Sequence, residues 1–524
     1  MPLALQHLLP PHADAAGFGE SLLRDRLPAY LERQRWYTSK GRPIAALDVT
    51  PLPSWSAREG FWLARIRFAD ADADADAAEE LRVLALAEVG PERAFAPDDP
   101  RVVATTPTGA TLVDAVGEEG FRARVYELMA REGSLAEGGA VLRGTAGRTC
   151  REHPAYAGSR VPPQNSSNTV VAYEPGGFFK LFRKTEPGVH PDAELLAYLS
   201  EGRGFASVPP FGGALSYRPG GGDEAAEVTI GLLLGRVDHR GEAWETMLHD
   251  VAAYARAFRD DADLRGLTIG DDLAAPLRPE HLPPGLSRAL GGDTVRRLRL
   301  LGERTAEMHL HFAAGRGAGM EPVDLDDGYW AAAKTALVAR LREEERYAGG
   351  EAAGHLARIA DWLERTRLPR VAGGCTRVHG DYHLGQVLDT ADDVVIIDFE
   401  GEPLHSLAYR RRRHPPFKDV AGMVRSLHYA PYAHALQETD GAAWAMRAAR
   451  TWYAVAARLF LTAYLERAGA AAAFVPRDPA ERDALLAFFL ADKALYELAY
   501  ERASRPAWVA IPRAGVAGVA AMLE

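Results

Sequence analysis

Asp381, Gln386 and Asp398 fall within one stretch, RVHGDYHLGQVLDTADDVVIIDFEGEP, at residues 377–403. Two carboxylates and an amide from neighbouring segments are oxygen donors that can meet around a cation, and the chemistry they predict is metal-assisted group transfer. A lone HGD or DF phrase is more economically a turn or a helix cap, because Asp satisfies orphan backbone donors as readily as it binds metals. The two phrases together, with Gln386 between them, carry the expectation.

The elements around them supply the positioning. The apolar run at residues 394–397 reads as a short buried strand, and Ala391-Asp392-Asp393 before it as a turn, so the stretch is hairpin-like and releases Asp398 at a strand end. Upstream, FFKLFRK puts Lys180 in a strand, and after PGVHPD the run AELLAYLS, containing Glu194, reads as a helix. A strand lysine steadied by a helix glutamate can be aimed at anionic phosphates; pointed outward it is an ordinary surface lysine. Gln164-Asn165-Ser166-Ser167-Asn168-Thr169 separates two strand-like phrases and either lines a phosphate edge or forms a solvated loop. It is neither a Walker A sequence nor a glycine-rich nucleotide fingerprint.

Farther out, residues 22–36 read as a helix leading into RQRWYTSKGRPI, where Trp36 is expected to pack beside a basic surface that includes Arg35 and Lys40. Residues 61–68 and 81–86 read as strands, with the Ala/Asp-rich residues 69–78 as an exposed loop between them. AWETMLHDVAAYARAF opens a mainly helical region. Residues 485–500 read as a buried amphipathic helix, since Asp and Lys interrupt the apolar run.

At 524 residues the chain exceeds what one hydrophobic core serves, so two or three structural units are expected. The division expected is 1–100 as an N-terminal cap domain, 101–239 as the rest of the cap with a β-rich nucleotide-binding lobe, and 240–524 as a helical catalytic and acceptor-binding lobe. The net charge of -11 argues against nucleic acid as a partner. Cys150 and Cys375 are the only cysteines and form no CxxC, which argues against structural zinc or a disulfide framework and for a cytoplasmic setting. No secretion signal or membrane span is apparent in the sequence, so no membrane partner is expected.

Taken together, RQRWYTSKGRPI, QNSSNTVV, FFKLFRK, HPDAE, HGDYHLGQVL, IDFEGEP and HPPFKDVAGMVRS resemble the bacterial maltokinases, within the aminoglycoside-phosphotransferase and protein-kinase-like superfamily. The phrases run from Arg33 to about Ser426. The resemblance implies an α+β fold: a bilobal protein-kinase-like phosphotransferase with an N-terminal cap domain and a helical C-terminal lobe. It implies ATP and Mg2+ as cofactors and maltose as acceptor, phosphorylated at its anomeric hydroxyl to maltose 1-phosphate; another sugar, an amino sugar or an alcohol is the alternative acceptor. A catalytically silent kinase-like protein is the alternative outside enzymes.

By the same resemblance, Lys180 contacts the ATP phosphates with Glu194 as its helix partner, and Asp381 orients or deprotonates the acceptor hydroxyl. Gln386 and Asp398 are implied as metal ligands, with Gln386 where the wider superfamily carries asparagine. Ser166, Ser167, Asn168 and Thr169 are expected to cover the nucleotide phosphates, although they lack the glycines of many kinases. His379 is expected to brace the loop. His383 either orders the loop or approaches the sugar, and Glu400 and Glu402 strengthen the acidic environment. Lys418 and Asp419 are expected on the acceptor side, organising sugar hydroxyls, or else as a fixed ion pair at a helix start. A trehalose-processing enzyme is the partner such a family implies, with the chain itself a monomer or weak homo-oligomer.

Overall fold

The computed structural model describes residues 20–70, 78–106, 108–163, 167–221, 227–270, 272–317, 319–403, 405–438, 442–469 and 472–523. The chain divides into two compact units. The first comprises Met1–Gly204, Pro209–Val237 and Pro403–Arg410, and the second comprises Phe205–Val208, Asp238–Glu402 and Arg411–Glu524. The first is rich in sheet and the second in helix, the α+β kinase-like architecture expected. Most of the acidic 69–78 stretch, at 71–77, lies outside the described residues.

Two antiparallel sheets build the first unit. One has the strand order Ile44–Pro51, Glu59–Phe68, Glu79–Val89, Thr111–Asp114, Val102–Thr105. Its central strands bury both faces, because successive side chains point to opposite sides of a pleated strand. Phe61, Leu63, Leu81 and Val83 enter a core shared with the second sheet. Trp62, Ala64, Ile66 and Leu84 meet Leu27, Tyr30, Leu31 and Trp36 from the helix Glu20–Arg33 and its exit. The second sheet runs Ser134–Glu137, Ala140–Ala146, Phe211–Arg218, Val228–Gly235, Gly177–Leu181, Thr169–Tyr173, Ser159–Arg160. The short strand Lys184–Thr185 follows the lysine strand and pairs with Arg82 and Leu81, tying the first sheet to the segment that follows Lys180.

In the second unit the hairpin expected at the outset is present: Val387–Asp389 pairs antiparallel with Val394–Ile396, all three residues of the latter buried. Arg297 holds one end of it, its guanidinium 3.2 Å from Asp389 and also paired with Asp250. The helices Gly292–Ala313 and Ala442–Ala468 approach so closely that a Cβ on Gly302 would collide with the Phe460 carbonyl. Phe417–Gln437 and Pro479–Ser504 pack beside them. Among the described residues no helix is long and apolar enough to cross a membrane. Both cysteines are buried, and burial pushes each thiol up to about 12, so neither is a thiolate at neutral pH.

Candidate active site

In the sheet-rich unit, Lys180 pairs across the strands with Val170 and Leu232, while its neighbour Leu181 pairs with Thr169. Cross-strand partners share a face, so Lys180 and Val170 lie on one side and Thr169 and Leu181 on the other. Val171 and Leu181 are core residues, which makes the Thr169 side the inward one. The Thr169 side chain therefore turns away from Lys180, and its hydroxyl accepts from Arg183 Nε at 2.7 Å. That corrects its expected place over the nucleotide phosphates. Asn168 is buried and Ser167 exposed; Ser166, with Gln164 and Asn165, lies outside the described residues.

Lys180 Nζ stands 3.2 Å from Asp192 Oδ2, with 13% and 2% of the two side chains exposed. Asp192 sits in the first turn of Pro191–Ala197, where a carboxylate is favoured by the helix dipole, and its backbone N–H donates to the ring of the cap residue His190. Glu194, the partner expected, lies two residues on in the same helix. Both acids occupy the first turn of that helix.

In the helical unit, the segment 379–386 is held by the Ile397 main chain and by the side chains of Asp419, Thr305 and Ser426. His379 Nε2 lies 2.8 Å from the Ile397 carbonyl, which can only accept, so the proton is on Nε2 and Nδ1 is free to accept from Asp381 N at 3.4 Å. The backbone N–H groups of His379 and Gly380 donate to Asp419 Oδ2 and Oδ1 at 2.7 and 2.9 Å. Asp419 in turn faces His309 Nε2 at 3.1 Å, and His309 Nδ1 faces the Tyr464 hydroxyl at 3.0 Å. Tyr382, fully buried, meets Thr305 Oγ1 at 2.9 Å, and Leu384 N donates to Ser426 Oγ. Gly380 adopts φ 88°, and Gly401 passes so close that a Cβ on Gly380 would stand 3.2 Å from its Cα.

Asp419 is thus corrected from an acceptor-binding residue to a structural one. It is 1% exposed, and both carboxylate oxygens are engaged by the backbone of the loop. Burial alone would raise its pKa, but the His309 contact and the neighbouring backbone N–H lower it below the usual value, so it is ionised. Lys418 does not pair with it; its ammonium lies 3.9 Å from Glu402 Oε2.

Sequence reasoning missed Lys493, on the helix Pro479–Ser504. Its ammonium donates to Asp381 Oδ1 at 3.0 Å and to Glu402 Oε1 at 2.7 Å. Burial would push its pKa down, but the two carboxylates outweigh that and raise it, so it is a fixed cation. The interruption of an apolar run by lysine is the available signal, and an amphipathic helix accounts for it equally well. His383 Nε2 is 4.0 Å from Asp381 Oδ2, and its Nδ1 accepts from Gly385 N, capping the turn Leu384–Gln386. Burial lowers its pKa against the opposing pull of Asp381.

Asp398 follows its strand with φ 67°, left-handed for a residue with a side chain, a conformation Asp tolerates at a cost of about 1 kcal/mol. The kink carries its carboxylate to Gln386, whose Nε2 donates to Oδ2 at 3.0 Å. Gln386 is itself fixed by main-chain bonds from its N to His383 and from Ile397 to its carbonyl. Among the described residues no cluster of three or more His, Cys, Asp or Glu forms a metal cage. One carboxylate and one amide oxygen fit a hard cation of the Mg2+ type, which takes its remaining ligands from water and phosphate oxygens.

No protein-family model matches the chain. A glucosamine kinase from Streptacidiphilus jiangxiensis is 28% identical over 334 residues, covering 62% of this chain and 64% of that protein, just under two thirds of its length. A glucosamine kinase from Mycolicibacterium smegmatis is 28% identical over 388 residues, 73% of this chain and 84% of that one. Among solved structures, a glucosamine kinase in complex with glucosamine, ADP and inorganic phosphate matches with a TM-score of 0.62 at 21% identity, covering 96% of this chain and 99% of that one. A second structure of a glucosamine kinase gives a TM-score of 0.60 at 22% identity, covering 95% and 97%. The fold is shared along nearly the whole length of both chains.

Proposed function

We propose that this chain is an ATP-dependent kinase of small carbohydrates, with an amino sugar of the glucosamine type as the first acceptor to test. The observation that carries the reading is the constellation at the loop 379–386: Asp381 fixed by Lys493, with Gln386 joined to Asp398 twelve residues on. Relatives over most of the chain are glucosamine kinases, and a structure of the same fold holds glucosamine, ADP and phosphate. This supports an amino sugar over the maltose that the motif resemblance implied.

In this reading Lys180, steadied by Asp192, holds the nucleotide phosphates. Asp381 accepts the hydrogen bond, and then the proton, of the attacking hydroxyl. The hydroxyl oxygen forms a bond to the γ-phosphorus, the bond from that phosphorus to the β,γ-bridging oxygen breaks, and ADP leaves. Gln386 and Asp398 are the residues that would hold Mg2+, which supplies charge neutralisation on the phosphates when bound.

A second reading, a neutral disaccharide such as maltose as acceptor, is favoured by one observation. Lys493 and Lys418 meet the carboxylates of Asp381 and Glu402, so these two acids already have cationic partners before an acceptor's ammonium arrives. The test is an acceptor panel of glucosamine, glucose, maltose and ethanolamine with ATP and Mg2+, the phosphorylated product identified by mass spectrometry and an Asp381→Asn preparation serving as blank. Glucosamine phosphate as the main product is expected. Maltose 1-phosphate in its place moves the assignment to the second reading, and no phosphorylated carbohydrate from a protein that binds Mg-ATP overturns both.

A further inference from the structure

The RQRW phrase near the N-terminus has no part in the chemistry above, yet it borders a cavity of about 630 Å³ within the sheet-rich unit. That is the size of a small-molecule site, roughly 300–1,000 Å³. Six arginines line it: Arg33, Arg35, Arg101, Arg122, Arg160 and Arg183. Among the described lining residues the only acidic side chain is Asp114. Such a concentration of positive charge in a chain of net charge -11 is local, not a reflection of composition.

The charges are unequally compensated. Arg183, 2% exposed, pairs with Asp114 at 2.5 Å and lies over the Trp36 ring at 4.7 Å, and Arg101 pairs with Asp99. Arg122 is 8% exposed, and its guanidinium donates only to neutral acceptors, the Val116 and Ser159 carbonyls and the Ser159 hydroxyl. Arg33 donates to the Val102 carbonyl, and neither it nor Arg160 meets a carboxylate among the described residues. Arg33, Arg35 and Arg160 reach solvent, as on any basic face. Arg122 differs: its guanidinium is held out of water and, among the described residues, meets no carboxylate, an arrangement that is costly until an anion arrives.

We infer that this cavity is a second binding site, for a phosphate-bearing small molecule, separate from the nucleotide-phosphate lysine. Planar guanidinium forks suit phosphate oxygens, and Trp36, Val161 and Pro162 supply an apolar wall for the rest of the ligand. The separation follows from the strand register. Thr169 borders the cavity and Lys180 is on the opposite face of the sheet, so one ligand cannot use both.

Isothermal titration of the full chain with pyrophosphate and with glucose 6-phosphate tests the assignment, each with the wild type, Lys180→Ala, and the exposed pair Arg33→Ala/Arg160→Ala. The two probes separate a bare phosphate requirement from a sugar-phosphate one. Single-site binding that survives Lys180→Ala and weakens at least tenfold in the double variant, with its circular dichroism and melting unchanged, is expected. Binding lost in Lys180→Ala but kept in the double variant overturns the site, as does a wild type that binds neither probe at millimolar concentration.

Discussion

Asp419 carries a charge where water does not reach it, and the stability this lends depends on each of its hydrogen-bond donors. Replacement by Asn keeps the shape but turns an NH2 group toward a backbone N–H, donor against donor. Asp419→Asn is expected to lose about 3 kcal/mol in urea unfolding, since a buried group is left without its partner. Lys493 makes a different case, because it stands beside Asp381 and Glu402 at once. Without its ammonium the two carboxylates repel and Asp381 leaves its position. Lys493→Met is expected to lower kcat about 10²-fold with little change in KM for ATP, and Lys493→Arg to recover part of it. An unchanged kcat in the Met variant would remove Lys493 from the machinery.

At the scale of elements, the loop 379–386 rests on the first turns of the helix Phe417–Gln437. Gly422 faces the loop, and a Cβ there would stand 2.6 Å from the Tyr382 carbonyl oxygen. Gly422→Ala, normally favourable in a helix, is therefore expected to cost about 1–3 kcal/mol and to lower kinase activity, measured by thermal melting and by turnover. Such packing explains what the sequence makes readable and what it hides. Short apolar runs reveal the strands at Phe61 and Leu81 and the buried Val394–Ile396, because a strand buried on both faces is a local pattern. The partners of Lys180 and Asp381 are not local. Asp192 reaches Lys180 from a separate helix, and Lys493 reaches Asp381 from 112 residues away. Thr169 reads as polar and loop-like, and only the strand register shows that it faces inward.

At the scale of the whole molecule, His428 links stability to pH. It is wholly buried against Tyr432, and burial, aided by Arg425, lowers its pKa well below the usual 6.5. The unfolded chain therefore binds a proton that the folded one refuses. The contribution of neutral His428 is complete above pH 6.5 and is lost progressively as pH falls below it. Denaturant unfolding between pH 5 and 7 is expected to show stability rising with pH, and His428→Phe to flatten that rise by up to about 1.4 kcal/mol per pH unit. A slope identical in the two proteins would assign the dependence elsewhere. The same long-range architecture bears on biosynthesis. A ribosome completes HGDYHLGQ long before it reaches the helix Pro479–Ser504, so every nascent or prematurely terminated chain that ends before Lys493 carries Asp381 without its ammonium. The helix Pro479–Ser504 finishes the loop, and no product that ends before Lys493 can do so.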